Sequence, residues 1–270
     1  MEAAERFLET QKAIWSSGDW PGFAPIIQNV ADTVVEEIGV GEGHDYLDVA
    51  TGSGNAAMAA AAKGANVTGL DLVPALVEAA RARAEAAGIG AQFVEGNAED
   101  LPFADDSFDR VTSIFGAMFA PRHQRTADEL ARVTRAGGAF AVTAWTPEGL
   151  NGQMFKTLGA HMPPPPEGIV PPVMWGDEEH VRELFSGQGL EVSCEKRLAD
   201  FAWETLESWL DHCERNLGPI VMGKAALEPQ GKWEAARADL MALGERFNEA
   251  NDGSMRTPAE YLLTKVTVAG

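Results

Sequence analysis

The chain has 270 residues, 45% apolar and 8% aromatic, enough for one globular domain with a sizeable core or for one domain carrying an insertion. Its 21 basic and 41 acidic residues leave a net charge of −20, which disfavours phosphate backbones and anionic lipid surfaces as partners. Cys194 and Cys213 are too few for a disulfide framework and lack metal-ligand spacing, the acidic start Met1-Glu2-Ala3-Ala4-Glu5 does not read as a signal peptide, and no apolar run approaches the ~20 residues of a membrane span, so a cytoplasmic protein is expected.

Residues 1–40 read as helical. Phe7, Leu8, Ile14 and Trp15 fall near helical spacing, Gly18, Pro21, Gly22 and Pro25 interrupt, and a second helix puts Ile26, Ile27, Val30, Val34, Val35 and Ile38 on one face. From 44 to 145 short apolar runs alternate with helical ones. Strands are expected over 46–50, 67–70, 92–95, 110–114 and 139–145, and helices over 55–63, 74–87 and 125–133. Gly64 and Gly88 suit the ends of the first two of these helices, Pro74 the start of the second, and Gly137-Gly138 a turn into the fifth strand. Such alternation argues for a parallel sheet with helices on both faces. Beyond Trp145 the sequence suggests a helix over 151–161 and a stiff loop at 163–166, Pro171 and Pro172. A short helix over 178–185, a strand over 190–194, a helical stretch over 204–250 and a final strand over 261–268 follow.

The most informative stretch is Tyr46-Leu47-Asp48-Val49-Ala50-Thr51-Gly52-Ser53-Gly54-Asn55, a hydrophobic strand running into a glycine-rich turn and a helix. Glycines let backbone approach a ligand closely, and the helix start offers unpaired N–H groups. Asp71 ends the next strand about 20 residues on, where a carboxylate commonly accepts hydrogen bonds from ribose hydroxyls. The ligand therefore contains a nucleoside. Gly52-Ser53-Gly54-Asn55-Ala56-Ala57 also fits the dinucleotide fingerprint, but Asp48 beside the loop would repel a pyrophosphate and favour the cationic sulfonium and amino groups of S-adenosylmethionine (SAM). The loop Gly96-Asn97-Ala98-Glu99-Asp100-Leu101-Pro102-Phe103 follows the third strand on the same sheet edge, where Asn97 and the Ala98 and Glu99 amides can read an adenine edge.

Together these motifs resemble the class I SAM-dependent methyltransferases, most of all the group containing the ubiquinone and menaquinone methyltransferases and many bacterial small-molecule methyltransferases. The resemblance runs from about Asp45 to Trp145 and includes Ser107-Phe108-Asp109-Arg110-Val111 and Arg132-Val133-Thr134-Arg135-Ala136-Gly137-Gly138, with Asn97 where the family often has aspartate. It implies a Rossmann-like, doubly wound α/β sheet of seven strands, the last antiparallel. It also implies a helical cap over 1–40, a SAM-binding core over 41–199, a helical lid over 200–258 inserted before the last strand, and that strand over 259–270. Asp48 and the backbone of Ala50, Thr51, Gly52, Ser53 and Gly54 would surround the methionine part, and Asp71 would hold the ribose. Leu72, Asn97 and Ala98 would contact adenine, and Ser113, Phe115 and Gly116 would line the sulfonium region.

Methyl transfer needs alignment and water exclusion more than a catalytic side chain, and a base only for a protonated, weakly acidic acceptor. His123 and His161 follow strands on the ligand edge and are the candidate bases or substrate contacts; His44, His180 and His212 read as outer residues. Met118, Phe119, Trp145, Met154, Phe155 and Trp175 are candidates for an apolar acceptor pocket, with core packing the alternative for each. Asp105-Asp106 and Glu178-Glu179 make no metal site. The expected activity is methylation of a small, hydrophobic organic acceptor on carbon or oxygen, by a monomer or homodimer with no nucleic-acid or membrane partner. An NAD(P)-dependent Rossmann oxidoreductase and a non-catalytic methyltransferase-like binding module are the rival readings.

Overall fold

The computed structural model describes residues 2–18, 20–164 and 169–270. Pro165 and Pro166 of the expected proline loop lie outside the described residues, as do the side chains of Phe7 and Leu8. The N-terminal segment forms α1 (Glu2–Ser16), the short α2 (Trp20–Phe23), a tight helical turn at Ala24–Ile27, and α3 (Gln28–Glu37). The expected face of α3 is the buried one, with Val30, Val34 and Val35 inside.

The sheet-forming part follows as β1 (Asp45–Val49), α4 (Asn55–Ala61), β2 (Asn66–Asp71), α5 (Pro74–Ala86), β3 (Ala91–Glu95), β4 (Phe108–Ile114), α6 (His123–Val133) and β5 (Thr134–Trp145). Then come α7 (Leu150–His161), α8 (Glu178–Leu184), β6 (Glu191–Trp203), the helices α9 (Leu206–Asn216), α10 (Gly218–Leu227) and α11 (Trp233–Phe247), and β7 (Met255–Thr267). The seven strands lie in the order β3-β2-β1-β4-β5-β7-β6. β1 to β5 are mutually parallel, while β7 runs antiparallel to both β5 and β6. This is the doubly wound, Rossmann-like sheet with an antiparallel last strand that the family resemblance implies. The order of strands reverses between β1 and β4, and in such sheets ligands bind in the crevice beyond the carboxyl ends of the strands at that point.

Two elements differ from the sequence reading. Gly137-Gly138 is no turn ahead of a separate strand: Thr134 pairs with Phe108 and Ala139 with Arg110, so the intervening residues bulge out within a single strand, with Gly137 at φ +76°. β6 and β7 are also much longer than expected, pairing continuously from Glu191↔Thr267 to Trp203↔Met255. β5 reaches only Tyr261 on β7, so the rest of the paired β6 and β7 extends past β5, and Pro258 sits in that stretch, where β7 has no second neighbour to donate to.

Among the described residues there are two cores. The larger packs the sheet between its helices around Tyr46, Leu47, Val111 and Phe140. The second joins α7 to α9, α10 and α11 through Leu150, Met154, Trp209, Leu210, Ile220, Trp233 and Leu240. α7, which directly follows β5, thus ties the helices between β6 and β7 to the sheet. No helix among the described residues is long and apolar enough to cross a membrane.

Candidate active site

Three described non-glycine residues hold a positive φ: Ala50 at +55°, Asp106 at +52° and Phe115 at +52°. Two of them, Ala50 and Phe115, come directly after the paired strands β1 and β4. Left-handed backbone costs a side-chain-bearing residue free energy, and it clusters where a fold shapes a functional surface. Gly52 follows at φ +55° and Gly54 at +89°, completing the turn into α4.

Buried carboxylates brace that turn. Asp71, closing β2, accepts the Gly52 N–H at 2.8 Å on one oxygen and the Val73 N–H at 2.9 Å on the other. Asp48 accepts the Thr51 hydroxyl at 2.6 Å and the Ala57 N–H at 3.1 Å on one oxygen, while its other oxygen lies 3.4 Å from the Thr112 hydroxyl. Burial pushes the Asp48 carboxyl up to about 7, against the pull of the Thr51 and Ala57 bonds, and the nearby Asp71 charge adds to the rise. Burial raises Asp71 as well. Asn97 accepts the Glu99 N–H at 3.0 Å and so shapes the loop after β3, whose buried Glu99 pairs with the Arg122 guanidinium at 2.7 Å.

Gly116 lies against the strained end of β1. A Cβ there would stand 2.6 Å from the Ala50 Cβ and 2.8 Å from its carbonyl oxygen. Gly116→Ala must therefore spread the ends of β1 and β4. We expect it to weaken binding of S-adenosylhomocysteine (SAH) about tenfold, an overpacking cost of roughly 1–3 kcal/mol, as read by calorimetric titration. Unchanged affinity would show that the two strand ends have slack.

One cavity gathers most of the residues singled out in the sequence. Asp48, Ala50, Thr51, Gly52, Ser53, Asp71, Leu72, Asn97, Ala98, Phe115 and Gly116 line it, together with Phe119, Trp145, Met154 and Phe155. The lining also includes Trp15, Trp20 and Phe23 from the N-terminal segment, Asn151 from α7, and Leu217 and Pro219 from the α9–α10 junction. Asn151 had no sequence signal, and the other five were marked only by their apolar or aromatic character. The Phe119 ring sits 4.1 Å from that of Trp15 and 6.0 Å from that of Phe155, and Phe115 stacks on Trp145 at 3.7 Å with 7° between planes.

Seven residues singled out in the sequence are not in the lining, among them Glu99, whose N–H donates to Asn97 instead of facing a ligand. The Ser113 hydroxyl donates to the Val49 carbonyl at 2.8 Å and accepts the Ala117 N–H at 2.7 Å, stitching β4 to β1. Gly54 faces Ala80, Met58 and Phe93 beneath the loop. Met118 and Trp175 are buried in the core. His123 opens α6 and its Nδ1 lies 3.0 Å from His180 Nε2 on α8, where burial, followed by the His180 charge, lowers its pKa to about 4. His161 closes α7, with its Nε2 2.8 Å from Asp239 on α11. The rules that placed both histidines on the ligand edge stop at the strand end, and the helices that follow carry them into helix–helix contacts.

Residues 47–142 match a family model described as a methyltransferase domain. The demethylmenaquinone methyltransferase of Thermus thermophilus is 40% identical over 103 residues, covering 37% of this chain and 47% of that protein. An uncharacterised protein of Mycobacterium tuberculosis is 36% identical over 256 residues, covering 94% of this chain and 92% of its own length. Residues 47–142 thus form a methyltransferase domain, of the class I SAM-dependent kind that the motifs resemble. A second uncharacterised protein of Mycobacterium tuberculosis is 46% identical over 177 residues, and the match spans 65% of that relative's length. Among solved structures, the YcgJ protein of Bacillus subtilis has a TM-score of 0.63 at 20% identity, covering 89% of this chain and 98% of that one, a likeness of fold.

Proposed function

We propose that this protein transfers a methyl group from SAM to a small, apolar organic acceptor, on carbon or oxygen, by in-line displacement. The observation that carries the reading is the composition of one cavity, lined by a glycine turn, two buried carboxylates and several aromatic rings. The residues present fit SAM. Gly116 leaves room where a Cβ would collide with Ala50, and Asp71, oriented by two backbone N–H groups, keeps lone pairs for ribose hydroxyls. Asp48 faces the same cavity with a carboxylate suited to a cationic ligand.

SAM supplies a methyl group already activated on a sulfonium. The chain's part is to hold both molecules in line and to keep water out. Leu72, Asn97 and Ala98 flank the base, and Phe115 and Gly116 border the reacting end. Residues 1–40 serve as cap, and within 200–258 the helices between β6 and β7 serve as lid: Trp15 and Trp20 from the first, and Leu217 and Pro219 from the second, line the cavity that the residues after β1 and β4 also line.

Calorimetric titration with SAH, beside NADH, tests the reading. We expect saturable SAH binding and no NADH binding. NADH binding in place of SAH would overturn the proposal and revive the oxidoreductase.

A further inference from the structure

We propose that Tyr46 and Thr112 are positioning residues for Asp48: their hydroxyls form a series of donors that ends on its carboxylate and tunes the cavity for a cationic ligand. This rests on the methyltransferase reading and adds two residues outside the cavity lining that act through Asp48.

Tyr46 and Asp48 lie two residues apart on one face of β1, and Thr112 is the β4 residue in register with Asp48. Tyr46 is fully buried, at a position where phenylalanine would bury the same ring. Its hydroxyl hydrogen-bonds that of Thr112, also fully buried, which in turn lies 3.4 Å from Asp48 Oδ1. Neither hydroxyl has another hydrogen-bond partner among the described residues. Burying a hydroxyl costs free energy that only its hydrogen bond offsets. The Tyr46 hydroxyl thus makes its one bond to the group that leads to Asp48.

Counting protons gives the series a direction. With Asp48 ionised, Tyr46 donates to Thr112 and Thr112 donates to Oδ1, so both protons have an acceptor. A proton on Oδ1 would have to donate to Thr112 instead, and one of the three protons would then have no acceptor. A proton on Oδ2 would meet the Thr51 O–H and Ala57 N–H already directed there. The network is therefore fully paired only around the carboxylate. Burial, followed by the Asp48 charge, raises the Tyr46 hydroxyl well above its ordinary value and keeps it a donor. Burial also pushes the Asp48 carboxyl up, and the Thr51, Ala57 and Thr112 bonds pull against it. Besides Tyr46, the titratable group acting on Asp48 is Asp71 at the end of β2. α4 carries no titratable residue, and Asp109 and Arg110 bond to Asp45 and Ile38 at the start of β4.

The test is calorimetric titration at pH 6 and at pH 8.5 with two ligands. One is SAM. The other is 5′-methylthioadenosine, which keeps the nucleoside and a neutral sulfur but carries no cationic group. Tyr46→Phe keeps the ring and removes the first donor, so the carboxylate becomes scarcer at pH 6. SAM affinity should fall about fivefold there, the size of one neutral hydrogen bond. It should stay within about twofold of wild type at pH 8.5, where the carboxyl is ionised in both proteins. Thr112→Val, which removes the donor next to Asp48, should show the same pattern with a loss of about tenfold at pH 6. Thr112→Ser keeps the hydroxyl and should restore wild-type affinity. 5′-Methylthioadenosine should bind all four proteins alike at both pH values. A loss of SAM affinity equal at both pH values, a parallel loss for 5′-methylthioadenosine, unchanged SAM affinity at pH 6 in Tyr46→Phe and Thr112→Val, or no rescue by Thr112→Ser would overturn the proposal. A wild type that binds neither ligand would instead overturn the methyltransferase reading and this proposal with it.

Discussion

Asp71→Ala is expected to weaken SAH binding about 30- to 100-fold, the loss of some 2–3 kcal/mol that hydrogen bonds to a charged group carry. The effect has two sources. The carboxylate is the proposed acceptor for the ribose hydroxyls, and it already holds the Gly52 and Val73 N–H groups at 2.8 and 2.9 Å. Its removal leaves those donors without the oxygens that orient them, so the Gly52 turn loosens as the ligand contact disappears. Each donor stranded in the interior costs about 1–3 kcal/mol of folding stability. Asp71→Asn separates the two contributions. Its amide oxygen can take one of the two N–H groups, so urea unfolding should show a smaller stability loss than for alanine. Calorimetry should still show most of the SAH affinity gone, because the charge is absent. Wild-type affinity in both variants would mean that the ribose is held elsewhere.

The glycine turn and its acids were legible in the sequence because their constraints are local. A strand that must bend sharply into a helix needs the left-handed positions Gly52 and Gly54, and Asp71 lies one helix and one strand further on. Register along parallel strands then brings the acid beside the turn without any long-range guess: Val49 pairs with Leu70, one residue short of Asp71. The aromatic wall is different. Trp15 meets Phe119 across more than a hundred residues of chain, a contact that no hydrophobic period encodes. Helical spacing marks Trp15 as apolar-facing without saying what it faces. His123 shows the reverse error: it lies close after a strand end in sequence, yet α6 turns it against His180. The long β6 was obscured for another reason. As an edge strand it is largely exposed, so Glu195, Lys196 and Arg197 interrupt the apolar alternation that would reveal it. Ion pairs from Arg197 to Glu37 and Glu195 satisfy that charge at the surface.

Asp48→Asn is expected to stabilise the fold at pH 8 while weakening SAM binding. The carboxyl of the folded protein is pushed up to about 7 by burial, from an ordinary value of 3.8. Between those two values the folded chain holds a proton that the unfolded chain has released. Stability contributed by this group is therefore complete below about pH 4 and is lost as pH rises through about 7. A shift of about three pKa units corresponds to roughly 4 kcal/mol once the group is fully ionised. Asparagine escapes that penalty. Its amide oxygen can accept the Thr51 hydroxyl and Ala57 N–H, and its NH2 group then faces the Thr112 hydroxyl, where the second carboxylate oxygen now stands at 3.4 Å. Thermal melts should coincide near pH 4 and separate by about 5–10 °C at pH 8, the variant being the more stable. A cationic ligand reverses the benefit. On the proposed reading Asp48 gives up its proton as SAM binds, so at pH 7 the wild type should release part of a proton to the buffer, and affinity should climb as pH rises from 6 to 8. The variant has no proton to lose. Its binding enthalpy should be the same in phosphate and in Tris, whereas the wild type's should differ between them. Buffer-independent enthalpy in the wild type at pH 7 would show the carboxylate ionised before the ligand arrives, and the stability gain at pH 8 would then be absent too.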